Sequence, residues 1–210
     1  MSDAESQRFY RKAVLRHGAT PRGVGWASRT TQYRRFEVMD RMFDLRGARV
    51  LDVGCGAGAL YGFLAGRDRG VDYVGIDPVP EMVEQARGEH PGGVFLETSL
   101  ETASHNRRFA PHSFDYVFAS GIFSRRAECD VGFVAHVAGL MFGLSRQAVL
   151  FNSLSASVDW TATRGWSLDP AEAVAPLLAI SPHLSMVHMP ELGDVAFVLR
   201  HGEPPVAAQQ

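Results

Sequence analysis

Residues 50–58 read Val-Leu-Asp-Val-Gly-Cys-Gly-Ala-Gly, an apolar run that ends in three alternating glycines, Gly54, Gly56 and Gly58. The apolar part has the length of a buried strand, and residues 59–66 (Ala-Leu-Tyr-Gly-Phe-Leu-Ala-Gly) continue as a short apolar helix. A glycine-rich junction between strand and helix lets a ligand lie against bare main chain, because no Cβ stands in the way. Free N–H groups and the helix dipole favour a polar or anionic group there. The prediction is a doubly wound α/β fold with its ligand crevice at the carboxyl end of this strand.

The rest of the chain follows the same alternation. Residues 4–16 and 29–44 read as helices, the second with Tyr33, Phe36, Met39, Met42 and Phe43 on one face. Between them, Gly18 to Ser28 is a loop suited to ordering over a ligand. Strands are expected at 71–76, 94–96, 113–120 and 148–153, with helices at 80–89 and 130–144. Asp169, Pro170 and Glu172 mark the start of another helix. Residues 184–189 and 195–200 flank a short turn around Pro190 to Gly193, so this last pair must be antiparallel. Residues 1–46 then form an N-terminal helical cap or lid integral to the domain, 47–201 the core, and 202–210 a disordered tail.

A chain of 210 residues with 46% hydrophobic content supports one core and one domain. That leaves no room for a separate dehydrogenase substrate domain. A net charge of −2 argues against a general nucleic-acid binder, although residues 1–49 hold eleven Lys or Arg against five Asp or Glu. The two cysteines, Cys55 and Cys129, belong to no metal-binding cluster, so no metal is expected. No stretch reaches the ~18 apolar residues of a membrane span, and the polar N-terminus has no signal-like run, so the expectation is a cytoplasmic protein.

Glycine spacing alone leaves the ligand open, since Gly54, Gly56 and Ala59 also satisfy the dinucleotide pattern G-x-G-x-x-A. Asp77 ends the second strand 23 residues after Gly54, where a carboxylate can accept from both hydroxyls of a ribose. The acid at Asp52, two residues before Gly54, and the closing hairpin are more discriminating. The segment Leu51-Asp52-Val53-Gly54-Cys55-Gly56 resembles the first motif of the class I S-adenosylmethionine (SAM) methyltransferases, a bacterial group included, and the resemblance runs from Trp26 to Arg200. That family implies a Rossmann-like sheet of seven strands, closed by an antiparallel hairpin. Trp26-Ala27-Ser28, Gln32, Arg35-Phe36, the segment from Phe114 to Phe123, and Phe151 to Ser155 are similar to compact bacterial methyltransferases of small molecules.

The resemblance implies that Gly54, Gly56 and Gly58 line the methionine portion and ribose of SAM, with Asp77 on the ribose hydroxyls. Pro78 and Met82 would pack on adenine, and Ser99 with the Leu100 backbone would replace a carboxylate that the family usually has near Thr98 and Ser99. Ala119 and Ser120 would face the ammonium and the transferred methyl. Trp26 joins the cofactor site, and Arg35 would either grip the SAM carboxylate or pair with Glu37 or Asp40. Asp52 is expected to order the glycine loop. Where the compact group commonly has an asparagine after its Ser-Gly-Ile-Phe segment, this chain has Ser124, followed by Arg125 and Arg126.

Methyl transfer to a hydroxyl benefits from a general base, and His136, Asp159, His183 and His188 are the candidates. Of these, Asp159 and His188 are retained, because the spacing puts His136 on an exposed helix face. Trp160 beside Asp159 offers a ring for a flat substrate. The leading expectation is a SAM-dependent methyltransferase of a small molecule, in secondary metabolism, with O, N, S or C as acceptor atom. The arginine-rich N-terminus keeps RNA or protein methylation as an alternative, and the absence of an evident base keeps a non-catalytic SAM-binding partner. No oligomeric state follows from the sequence.

Overall fold

The computed structural model describes residues 3–124, 129–158 and 165–202. In chain order the elements are α1 (Asp3–His17), a 3₁₀ turn (Pro21–Val24), α2 (Arg29–Met42), β1 (Arg49–Val53), α3 (Ala59–Ala65), β2 (Asp72–Asp77), α4 (Pro80–Glu89) and β3 (Val94–Glu97). They continue with α5 (Leu100–His105), β4 (Phe114–Ser120), α6 (Val131–Leu144), β5 (Ser145–Leu154), α7 (Pro170–Leu178), β6 (His183–Met189), a second 3₁₀ turn (Pro190–Leu192) and β7 (Asp194–Arg200). Local chemistry sets several starts. Ser28, Ser99, Asp130 and Asp169 each accept a backbone N–H with the side chain as N-cap, and Pro80 and Pro170 occupy first helical positions.

Seven strands form one sheet in the order β3-β2-β1-β4-β5-β7-β6. The first five are parallel, and β7 runs antiparallel between β5 and β6. Successive side chains of a strand face opposite ways, so each strand feeds two cores. On one face Leu51, Val117, Val149 and Phe197 pack with Val134, Val137 and Met141 of α6 and with α7. On the other, Val50, Phe118, Leu150 and Val198 pack with Phe36 and Met39 of α2, Phe63 of α3 and Val83 of α4. α2 is therefore a structural layer on the sheet. By contrast, α1 reaches the molecule through a small cluster of Val14, Tyr10 and Val24 against Val79 and Met82.

Three sequence expectations are corrected here. α5 was not foreseen, since six residues carry too little periodicity to declare a helix. β5 begins at Ser145 rather than at residue 148, directly after α6. The buried stripe of α2 holds Gln32 and Arg35 with Phe36 and Met39, while Tyr33 and Met42 are only partly buried. Hydrophobic periodicity alone hides polar residues that occupy an inward face. The expected disordered tail falls at 203–210, outside the described residues.

Candidate functional site

The loop after β1 takes its shape from main-chain demands. Gly54 and Gly56 have φ of +73° and +53°, a region that side chains with a Cβ rarely enter. Space reinforces the constraint at Gly54, where a Cβ would lie 2.5 Å from Cγ2 of Ile122. The N–H groups of Gly54 and Cys55 both donate to the Ile76 carbonyl, at 2.8 and 3.0 Å. Asp77 completes the clamp, its Oδ2 accepting from the Gly56 N–H at 3.0 Å and its Oδ1 from Val79 at 2.9 Å. The loop is thus held to the end of β2 by backbone bonds and by one carboxylate.

Asp52 is placed differently from the expectation. Its Oδ2 accepts from the Tyr73 hydroxyl at 2.6 Å, and it is Asp77, not Asp52, whose carboxylate bonds the glycine loop. Burial out of water raises its carboxyl to about 7, against the Tyr73 hydrogen bond, which lowers it, and the nearby Asp77, which raises it further. Asp77 is raised to about 6, again by burial, with the Val79 and Gly56 N–H groups opposing the rise. Desolvation likewise pushes the thiol of Cys55 and the phenol of Tyr73 upward. Two acids poised near neutrality within a shared cleft favour a cationic visitor, because a positive charge restores what burial takes from the carboxylate.

These groups open onto a cavity of about 220 Å³ across the carboxyl ends of β1, β2 and β4. Of the residues expected to bind the cofactor, Gly54, Gly56, Asp77, Pro78 and Met82 line it. So do Ser99, Leu100, Ser120 and Trp26. Gly58, Ala119 and Arg35 are not in its wall. Gly58 faces His90 and Phe95 instead, and Ala119 is buried behind the wall in a smaller void shared with Arg35. Ser99 spends its hydroxyl on Thr102, accepting its N–H at 3.1 Å as the cap of α5. Ser120 is different, since its Oγ is buried without a hydrogen-bond partner.

Arg35 is committed elsewhere. Its Nε and Nη2 grip the Asp194 carboxylate at 2.6 Å each, Nη1 donates to the Thr31 carbonyl and Nη2 also to Leu192. The partners weighed from the sequence are engaged as well: Glu37 lies 3.8 Å from Arg41, and Asp40 pairs with Arg67 and Arg69. The guanidinium carbon of Arg35 sits 4.4 Å from the ring centroid of Trp26, so Arg35 supports a wall residue without facing the cavity.

The general-base candidates do not converge on the cavity. His188 is exposed on β6, 2.9 Å from the Ser155 hydroxyl, and His136 is exposed on α6. Asp159 and Trp160 lie outside the described residues, as do Arg125 and Arg126. The described chain on their far side returns to the site, for Trp166 donates to the carbonyl of Ser124, and Ser124 lines the cavity.

The sequence places Gln32 only within a motif and α1 only within a cap, and it gives no sign that Gln32, Glu101 and particular α1 residues line the cavity. Ser6, Gln7 and Tyr10 of α1 form part of the cavity wall, with Val24 at the end of the 3₁₀ turn and Gly25 after it. The ion pair of Arg11 with Glu81 of α4, at 2.6 Å, fastens that roof. Glu101 supplies a carboxylate at the wall two residues after the position where the family acid was sought. Among the described residues, the wall carries three acids and no lysine, arginine or histidine. No group of three or more His, Cys, Asp or Glu among them is arranged to hold a metal, and no described helix is long and apolar enough to cross a membrane.

Comparison with known proteins agrees with this geometry. Residues 51–141 match a family model described as a methyltransferase domain. The chain is 30% identical over 183 residues to a ubiquinone biosynthesis O-methyltransferase of Azorhizobium caulinodans, covering 78% of this chain and 68% of that one. It is 36% identical over 112 residues to a Mycobacterium tuberculosis protein named as a methyltransferase, covering 51% of this chain and 64% of the relative. The chain thus spans about two thirds of the length of these two curated relatives. Among solved structures, the magnesium protoporphyrin IX methyltransferase of Synechocystis, with bound S-adenosylhomocysteine (SAH), superposes with a TM-score of 0.60. That likeness covers 82% of each chain at 16% identity and concerns the fold.

Proposed function

The chain belongs to the class I SAM-dependent methyltransferases, and from that premise we propose that it methylates a small-molecule acceptor held under the N-terminal cap. One observation supports the small-molecule reading: α1 and the 3₁₀ turn after it add Ser6, Gln7, Tyr10 and Val24 to the wall of the cavity of about 220 Å³, so the cap narrows its mouth. Of the eleven cationic residues in 1–49, Arg11, Arg35, Arg41, Arg46 and Arg49 lie beside an acid, which reduces the charge this segment offers to RNA.

The residues present fit SAM. Bound there, the cofactor supplies a methyl group already activated by its positive sulfur. Asp77, anchored by two N–H groups, keeps acceptor capacity on both oxygens for ribose hydroxyls. The main chain at Gly54 and Gly56 offers a surface without Cβ atoms. Asp52 and Asp77 favour positive charge, and the orphaned Ser120 hydroxyl at the end of β4 supplies a donor or acceptor where the family places the amino-acid end. The protein's part in the reaction is then to orient the acceptor and exclude water, which in favourable cases supplies several kcal/mol.

Among the described residues no histidine lines the cavity, so the wall supplies no imidazole base. The side chains of the described wall able to take up a proton are the carboxylates of Asp52, Asp77 and Glu101. Isothermal titration with SAM and SAH tests the cofactor site, and methyl transfer from labelled SAM into a metabolite extract tests the acceptor class. Binding without transfer to any small molecule would favour the partner-protein alternative, and label on RNA or protein would overturn the small-molecule reading.

A further inference from the structure

Gln32 occupies the second turn of α2, on the buried stripe with Arg35, Phe36 and Met39. Only 6% of its surface is exposed, and it forms part of the cavity wall. Its backbone N–H closes the first helical turn onto Ser28, while its carboxamide has no hydrogen-bond partner among the described residues. Neither amide atom is among the buried polar atoms left without a partner, so the carboxamide is open to the cavity and free to bond a ligand there. Gln7, the other amide of the wall, is solvent-exposed.

The sheet order decides which part of a ligand Gln32 meets. Asp77 stands at the end of β2 and Ser99 beyond β3, on one side of β1, whereas Ser120 ends β4 on the other. α2 packs over this second side, where Phe36 shares a smaller void with Ala119, Ser120 and Leu150. With the ribose at Asp77, the amino-acid end of the cofactor points toward β4 and α2. Its carboxylate needs a donor, but the wall has no cationic side chain among the described residues, and Arg35 is fully occupied by Asp194, Thr31 and Leu192. A carboxamide is suited to the task, since Nε2 donates to a carboxylate while Oε1 accepts from an ammonium.

We propose that Gln32, rather than Arg35, receives the α-amino-acid end of SAM. The assignment rests on the cofactor reading above and names the residue that reads this end. It also gives a reason for a glutamine on an inward stripe: the amide faces the cavity without a bond to the protein, and the ligand supplies one.

The test compares SAH with 5′-methylthioadenosine, which has the nucleoside and sulfur but lacks the amino-acid end. Titration of wild type, Gln32→Met and Gln32→Glu gives the affinities, and thermal unfolding of the ligand-free proteins reports the fold. Gln32→Met is expected to weaken SAH at least tenfold and leave methylthioadenosine within twofold. It should also unfold at about the same temperature as wild type, because the amide makes no hydrogen bond to the described protein that the thioether would lose. Gln32→Glu should weaken SAH further, by placing a second negative charge at the carboxylate. Unchanged SAH affinity in Gln32→Met, or an equal loss for both ligands, overturns the proposal. Failure of the wild-type protein to bind either ligand overturns the cofactor site itself, and this assignment with it.

Discussion

Arg35 and Asp194 face each other in a bidentate ion pair, both N–O distances 2.6 Å, with 6% and 1% of their side chains exposed. The pair ties α2 to the start of β7 and, through the ring of Trp26 stacked on the guanidinium, to the cavity wall. Asn152 on β5 donates to the same carboxylate, so three separate parts of the chain meet at one buried charge. Arg35→Met strands the Asp194 carboxylate and is expected to destabilise the protein by about 3–5 kcal/mol. For a domain of this size that is a fall in Tm of roughly 10 °C, measured by calorimetry. The double change Arg35→Met with Asp194→Leu should recover most of the loss, because removing both charges leaves neither unpaired.

Asp52 gives stability an unusual slope with pH. A carboxyl raised to about 7 in the folded state binds its proton more tightly than it does in the unfolded chain. The favourable contribution is complete below the unfolded value of about 3.9 and is lost as pH rises toward 7. Asp52→Asn removes that slope and keeps an oxygen for the Tyr73 hydroxyl. The variant should match wild type near pH 4 and exceed it by roughly 2–4 kcal/mol at pH 8 in urea unfolding. Equal stability of the two proteins at pH 8 would refute the assigned burial.

Gly54 and Gly47 separate strain from contact. Both have positive φ, +73° and +63°, but a Cβ at Gly54 strikes Ile122 whereas at Gly47 it meets nothing within 4 Å. Gly47→Ala should destabilise by about 1–2 kcal/mol and leave SAH affinity unchanged. Gly54→Ala should lose at least tenfold in affinity as well, and Ile122→Ala should restore part of it by clearing the collision.

Asp77 holds the glycine loop and, on the proposed cofactor reading, the ribose as well, so its variants need a pH series. Asp77→Asn can keep the Val79 bond, but its amide hydrogens would confront the Gly56 N–H. A loss of SAH affinity of about a hundredfold is expected, of the size of several charge-assisted hydrogen bonds. In wild type, affinity should weaken by up to about tenfold per unit as pH falls below about 6, where the carboxylate takes up its proton. The asparagine variant should show no such dependence in titrations from pH 5 to 8.

The course from Leu51 to Asp77 was legible because its constraints are local: a glycine at positive φ and a carboxylate ending a strand leave marks within a few residues. The closing hairpin was legible for the same reason, since the short turn at Pro190 to Gly193 permits one pairing. Arg35 was not, because the acid that claims it lies 159 residues away and nothing near Arg35 announces it. His188 was misjudged similarly, its partner Ser155 being 33 residues distant. Gln32 belongs to a recognisable motif, yet the role proposed for it rests on what its amide does not touch, which a sequence does not display.

The position of β7 between β5 and β6 bears on the order in which this protein can be made. A ribosome releases β1 to β5 with every βα unit in place, but β5 then has an open edge, and Arg35 has no counter-charge until Asp194 emerges. Docking of α2 by its ion pair therefore waits for β7, a contact of very long loop closure that slows the last step of folding. During that interval the unpaired edge of β5 is open to other chains. Substitutions in the last two strands should accordingly lower the yield of soluble protein more than they lower the equilibrium stability of what has already folded.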